Sequence, residues 1–219
     1  MANIIMSAWL DTMEDYGFDD VERDTLARLI DDSHKENCLR EPWPFLEREE
    51  TITQAGGDNT VTTLAGVTPQ GNIIGKVLAI VNKADEVTLT PLRNDSQMRE
   101  YVYDLDETGI PTHYYFIGDQ LHLWPTPEAT TTLRIRFLTE PTTLTKDSDD
   151  SAILWPAKHD SVILYGALSK AYYINDDPQG ASMQQVMEAR LQIARADLWM
   201  KQFDRTDRVV VLDDNDYLF

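Results

Sequence analysis

The sequence predicts an α+β protein: a helical bundle formed by both chain ends, an inserted antiparallel β-sandwich or barrel, and an extended C-terminal tail. Three observations carry this. Apolar residues recur at helical spacing between Val21 and Leu39 and again between Ser161 and Phe203. They recur every second residue in short runs between Arg48 and Phe137, and prolines or acidic stretches separate the regions. The expected organisation is a discontinuous helical core over residues 1–44 and 151–204, a β insertion over 45–150 and a tail over 205–219.

Asp19 and Asp20 can cap a helix from Val21 to about Leu39 that carries Leu26, Leu29, Ile30 and Ser33 on one face. Glu22 and Asp24 suit the positive end of its dipole. Glu41-Pro42-Trp43-Pro44 stops it, because each proline biases its predecessor towards extended geometry. The preceding stretch, Ile4 to Met13, fits either a short helix or a strand. Pro156 stands where a first helical turn tolerates a missing N–H, and Val162, Ile163, Tyr165, Leu168, Tyr172 and Ile174 continue that helix to Asp176-Asp177-Pro178. A longer helix follows, roughly Ala181 to Phe203, with Met187, Leu191, Ala194 and Leu198 as one stripe that Met183, Val186 and Ile193 widen. Helices that each bury one stripe are expected to pack together.

In the middle section, Thr51–Thr53 and Thr60–Leu64 read as short strands around the Gly56-Gly57-Asp58 turn. Ile73–Val81 and Glu86–Leu92 read as two more, and Asp95-Ser96 as the start of a brief helix over Met98 to Val102. A two-residue turn at Gly118-Asp119 would pair Ile117 with Gln120 and Tyr115 with His122. Tyr114, Phe116, Leu121 and Leu123 then share the core face, and His113, Tyr115, His122 and Trp124 the other. Thr130 to Phe137 supplies a further strand, with Leu133, Ile135 and Phe137 inward and Arg134 and Arg136 outward.

Composition bounds the function. The chain has 219 residues, 42% apolar and 26% charged, which suits one large or two small globular domains. No apolar run is long enough to span a membrane, and the basic start of a secretory leader is not seen. Cys38 is the only cysteine, so no internal disulfide is expected and synthesis in a reducing cytoplasm fits. The net charge is −19, from 38 acidic and 19 basic residues, so a basic sheath for gripping DNA is missing. Such acidity serves either solubility, which is its commoner use, or a surface that DNA slides past without sticking.

Neither an enzyme nor a cofactor is expected. His113 and His122 share a sheet face, but a zinc site needs three or four converging ligands. Carboxylates such as Asp104 and Asp106 have no evident cleft, and neither a G-x-S-x-G turn nor a phosphate loop occurs. Trp43 and Trp124 could form a sugar platform, yet buried packing is the commoner use of tryptophan beside proline. At the C-terminus, Val209, Val210, Val211 and Leu212 read as a strand able to add to a partner's sheet edge. Tyr217, Leu218 and Phe219 would then fill an apolar pocket on that partner.

Two stretches carry a resemblance. The first is Arg40-Glu41-Pro42-Trp43-Pro44-Phe45-Leu46-Glu47-Arg48-Glu49. The second is Gly109-Ile110-Pro111-Thr112-His113-Tyr114-Tyr115-Phe116, then Leu121-His122-Leu123-Trp124-Pro125-Thr126-Pro127, the strand Thr132–Phe137 and the link Glu140–Thr145. In this order, with the Leu164–Leu168 helix after them, they resemble the head-to-tail adaptor (connector) proteins of tailed bacteriophages over about Val21 to Phe203. The resemblance implies a virion neck protein assembled in the host cytoplasm, without catalysis. It implies a ring, usually of twelve copies, bound to the portal protein on one side and to tail or nozzle proteins on the other. DNA would cross its lumen without specific binding, and Trp43, Pro44, Phe45, Pro111, Tyr114, Tyr115, Leu121, Leu123, Trp124 and Pro125 would be structural. In that family C-terminal segments reach into the portal, which assigns portal binding to Val209–Leu212 and Tyr217–Phe219. The competing readings are a β-sandwich module binding carbohydrate or protein, and an acidic mimic of DNA; scattered charge argues against the latter.

Overall fold

Helical periodicity near both ends becomes α1 (Ile4–Met13), α2 (Arg23–Leu39), α3 (Ser161–Ile174) and α4 (Gln179–Asp213). The computed structural model describes residues 4–61, 73–92, 107–117 and 120–213. The chain divides into two units, one of Met1–Leu46 with Pro141–Phe219 and one of Glu47–Glu140. It is an α+β protein.

In the first unit, the stretch left open between helix and strand is the helix α1, which ends in a wider turn at Glu14–Phe18 where Gly17 takes φ +97°. Helix α2 starts at Arg23, and the expected caps Asp19 and Asp20 lie in a separate turn before it. Glu22 holds the cap position with extended backbone and no side-chain capping bond. The buried face of α2 contains Leu26, Leu29, Ile30 and Ser33 as expected, and also Asp31, His34 and Asn37.

These buried polar groups fasten the part of the chain that returns after residue 140. Leu144 donates its N–H to Asp31 Oδ1 at 2.8 Å, and Lys35 Nζ donates to Asp31 Oδ2 at 2.8 Å. Leu154 donates its N–H to His34 Nε2 at 3.2 Å. Ser33 Oγ donates to the Ile163 carbonyl at 2.8 Å. A Cβ on Gly166 would sit 2.3 Å from Ser33 Oγ, so the approach of α2 to α3 uses the absence of a side chain there.

Met187, Leu191 and Ala194 are the buried stripe of α4, which lies along α3. Val186 and Ile193, expected to widen that stripe, are exposed, because they project more than about 100° around the helix from its centre. The tail is corrected too: Val209, Val210, Val211 and Leu212 continue α4 to Asp213 and are not a strand. No proline or glycine interrupts residues 181–213, and an established helix gains one backbone bond per added residue, which outweighs the weak helix propensity of valine.

The second unit is built on the two-residue period. One sheet has the order β1 (Glu47–Gln54), β10 (Thr131–Glu140), β3 (Ile73–Asn82), β4 (Val87–Thr88). The other has β2 (Thr60–Val61), β8 (Gln120–Trp124), β7 (His113–Ile117), β5 (Thr90–Pro91), and β6 (Thr108–Gly109) pairs with β9 (Thr126–Pro127). Both larger sheets contribute to one core that includes Ile52, Ile80, Leu133, Ile135 and Phe137 from the first and Val61, Tyr114, Leu121 and Leu123 from the second. Arg134 and Arg136 face outward and pair with Glu49 and Glu47 on β1.

The hairpin register is as expected, with Tyr115 opposite His122 and Ile117 opposite Gln120; Gly118-Asp119 themselves lie outside the described residues. Phe116 departs from expectation: next to the strand end it is exposed, while Tyr115 on the other face is buried. Three further corrections concern topology. The β5–β7 and β6–β9 pairs are parallel, because two-residue segments from separate parts of the chain join these strands outside any hairpin. Glu86–Leu92 is two short strands split at Leu89, one in each larger sheet. Among the described residues the sheets are open, and no closed barrel forms. The Gly56-Gly57 turn passes from one sheet to the other, with Gly57 at φ +78° and a Cβ on Gly56 landing 2.6 Å from the Glu128 carbonyl oxygen. The brief helix expected at Met98–Val102 lies outside the described residues.

Burial pushes the imidazole of His34 down to about 4, and the nearby Asp31 carboxylate only partly opposes this. The unfolded chain protonates His34 near the ordinary value of 6.5, so stability held above that pH is lost as the pH falls towards 4. The full loss is about 3 kcal/mol. His34→Gln should flatten this part of the stability–pH curve relative to the parent, as measured by urea unfolding between neutral pH and the acid side of His34's depressed range.

Candidate functional site

The histidines of the second unit belong to stacked side chains on the outer hairpin face. His113 and Trp124 lie opposite one another with ring centroids 5.6 Å apart, and Tyr115 stacks on His122 at 5.1 Å. Thr112 Oγ1 is 2.8 Å from His113 Nδ1, and Thr60 Oγ1 is 3.3 Å from His122 Nδ1. Burial pushes both imidazoles below the usual histidine range, with the Asp58 carboxylate opposing the shift at His122. Neutral imidazoles extend the aromatic layer at little desolvation cost. Among the described residues no group of three or more His, Cys, Asp or Glu converges on a metal-sized site. Asp104 and Asp106 lie outside the described residues.

Trp43 lies in the first unit and Trp124 in the second. Trp43 is 0% exposed, its Nε1 donating to the Asn37 carbonyl at 2.8 Å. Phe45 stacks on it at 5.9 Å, and Trp155 meets both rings edge-on at 5.2 and 5.1 Å. Pro44 opens the tight turn that brings Phe45 back over Trp43. Trp155 donates Nε1 to the His159 carbonyl at 2.7 Å. Its role was missed in the sequence, although the Trp-Pro dipeptide, repeated at 43–44, 124–125 and 155–156, is a readable signal.

The remaining motif residues all lie in the second unit. Tyr114, Leu121 and Leu123 enter its core, while Pro111, Tyr115 and Pro125 are also buried. The Trp124–Pro125 bond is cis. Beside Pro111 lies a cleft of about 280 Å³ whose lining includes Gly109, Ile110, Pro127 and Thr131. Among the described residues its ionisable lining groups are Asp85 and Glu128, with no histidine or cysteine there to act as a base or nucleophile. Of the residues expected to bind a partner, Val209–Leu212 lie in α4, and Tyr217, Leu218 and Phe219 fall outside the described residues.

Residues 4–212 match the family described as SU10 adaptor protein. The chain belongs to that family. No curated protein matches the sequence. The adaptor is a structural protein of a bacteriophage, and the match takes in both of its units. Trp43 and the 111–125 hairpin fall inside it, and so does the helical segment Val209–Leu212. No helix of the adaptor among the described residues is long and apolar enough to cross a membrane.

The Trp43–Phe45–Trp155 cluster should therefore behave as a structural joint of the adaptor's helical unit. Trp43→Ala removes a fully buried indole and its bond to Asn37, and should lower unfolding stability by about 3–5 kcal/mol. Trp43→Phe, which keeps a ring, should cost clearly less in the same urea titration.

Proposed function

We propose that the adaptor forms a ring beneath the portal of a tailed phage, joining it to tail components and continuing the channel for DNA. The observation that carries this is membership of the SU10 adaptor family over nearly the whole chain. Charge supports the channel: 38 acidic against 19 basic residues give a polyanionic surface that repels the phosphate backbone passing through it. The proposed ring has twelve copies, and the distal contacts are to tail or nozzle proteins.

Attachment to the portal is made by the C-terminal segment. Because Val209–Leu212 are helical, strand addition no longer describes it. The end of α4 instead presents an apolar helical segment, followed by Tyr217, Leu218 and Phe219 as an anchor for a pocket on the portal. An acidic stretch, Asp213-Asp214-Asn215-Asp216, separates the two apolar groups.

Electron microscopy of the adaptor mixed with its portal should show an added ring under the portal. Deleting Arg208–Phe219 should abolish that density while removing only the small helical signal of the deleted turns from the far-ultraviolet spectrum. Full attachment by the truncated chain would reject the anchor, and a portal that stays bare with the intact adaptor would reject the ring.

A further inference from the structure

We propose that the outward face of α4 is the surface on which a second copy of this chain packs. This rests on the ring reading and names its contact surface. Ser182, Val186, Ala189, Ile193 and Ala196 follow one another at spacings of four and three, and all are exposed, Ile193 at 63%. Gln185 and Gln192 fill the remaining positions of this face. Over about 120° of the helix circumference there is no charged residue. The outer side of a surface helix is where charge normally collects.

The charges of α4 between Ser182 and Asp197 flank this face, and all are engaged within their own unit. Glu188 takes Arg40 at 2.8 Å, and Arg195 pairs with Glu41. Asp197 is 2.9 Å from His159 and 3.1 Å from Lys158. Arg190 lies over the Tyr165 ring at 5.6 Å. The result is a neutral apolar centre with a rim of satisfied charges, the arrangement found in protein–protein contacts.

Charge selects the occupant. Each copy carries −19, so two copies repel wherever their acidic surfaces meet. A face without charge lets them touch without juxtaposing like charges or burying an unpaired one. A basic partner would seek carboxylates, and DNA would seek lysine and arginine; neither gains from this face. Ser182, Ala189 and Ala196 are small enough for a neighbouring helix to approach to about 8–10 Å between axes. Val186 and Ile193 then act as knobs between its side chains. In the sequence the same spacing runs on through Met200 and Phe203.

Area explains why such a contact acts through repetition. The face from residue 182 to 196 is about 21 Å long and about 10 Å wide, or about 200 Å² per copy. A standing pairwise interface buries about 800 Å² per partner. Alone, the contact is therefore opposed successfully by repulsion, and it forms when salt screens the charge or when other contacts align the copies.

Sedimentation velocity on the full chain tests this from about 0.05 M to about 1 M salt, over which the screening length shrinks to about 3 Å. The parent should be monomeric at the low end and associate as salt rises. Ile193→Glu, at an exposed position, should keep the parent's circular dichroism and stay monomeric throughout. Ile193→Cys provides a reporter, because the native Cys38 is buried with its thiol pushed up to about 12. Its reaction with a charged thiol reagent should slow several-fold in the associated species. Association of Ile193→Glu at parental salt, or an introduced thiol that stays fully reactive in the associated species, would place the contact elsewhere and leave the ring reading standing. A parent that stays monomeric at the highest salt overturns this face as well, whereas the ring itself is judged on the portal-bound particle.

Discussion

The helical unit depends on three buried polar side chains of one helix holding the backbone of a distant segment. Asp31, Ser33 and His34 of α2 bond to Leu144, Ile163 and Leu154, residues that follow the whole β unit in the chain. A buried N–H without an acceptor costs more than an ordinary hydrogen bond gains, so these bonds discriminate against other ways of docking the returning chain. The same groups explain why α3 carries Gly166 where it passes α2, since any side chain there would displace the Ser33 hydroxyl. Trp43, Phe45 and Trp155 bring the two chain segments of this unit together a second time through interlocked rings.

The β unit is held mainly by its apolar faces. Three inward residues of β10 and two of β8 are fully buried, and the outward arginines of β10 meet glutamates of β1 across the strand pair. Those exposed ion pairs hold the Glu49 carboxyl below the usual range but are open to screening by salt, so they set register more than stability. Short parallel strands close the unit where a hairpin cannot, and the two glycines after β1 let the backbone change sheets in a tight space.

In the proposed ring, copies of a phage adaptor that each carry a large negative charge face a conflict. The acidity proposed to keep DNA from adhering would also hold such subunits apart. Helix α4 answers it by dividing its surface: one apolar stripe for its own unit, charges engaged along the edges, and a neutral face outward. On that proposal, assembly is governed by geometry and screening.

The sequence by itself determined the α+β class, the main helices, the 113–124 hairpin with its register, and the inward set Leu133, Ile135 and Phe137. These follow from local rules: side chains alternate on strands, apolar residues repeat along helices, and proline stops both. Its Trp-Pro and hairpin motifs also pointed to the family that the match over residues 4–212 establishes. Tertiary structure decided what those rules leave open. Periodicity marks Met187 and Ile193 as apolar alike, but only contact with α3 shows that the first is covered and the second is not. Periodicity gives no reason to bury Asp31 and His34, because the backbone groups that justify their burial lie more than a hundred residues away in the chain. Val209–Leu212 read as a strand because valine favours extended structure, whereas a helix already established upstream extends through them at small cost.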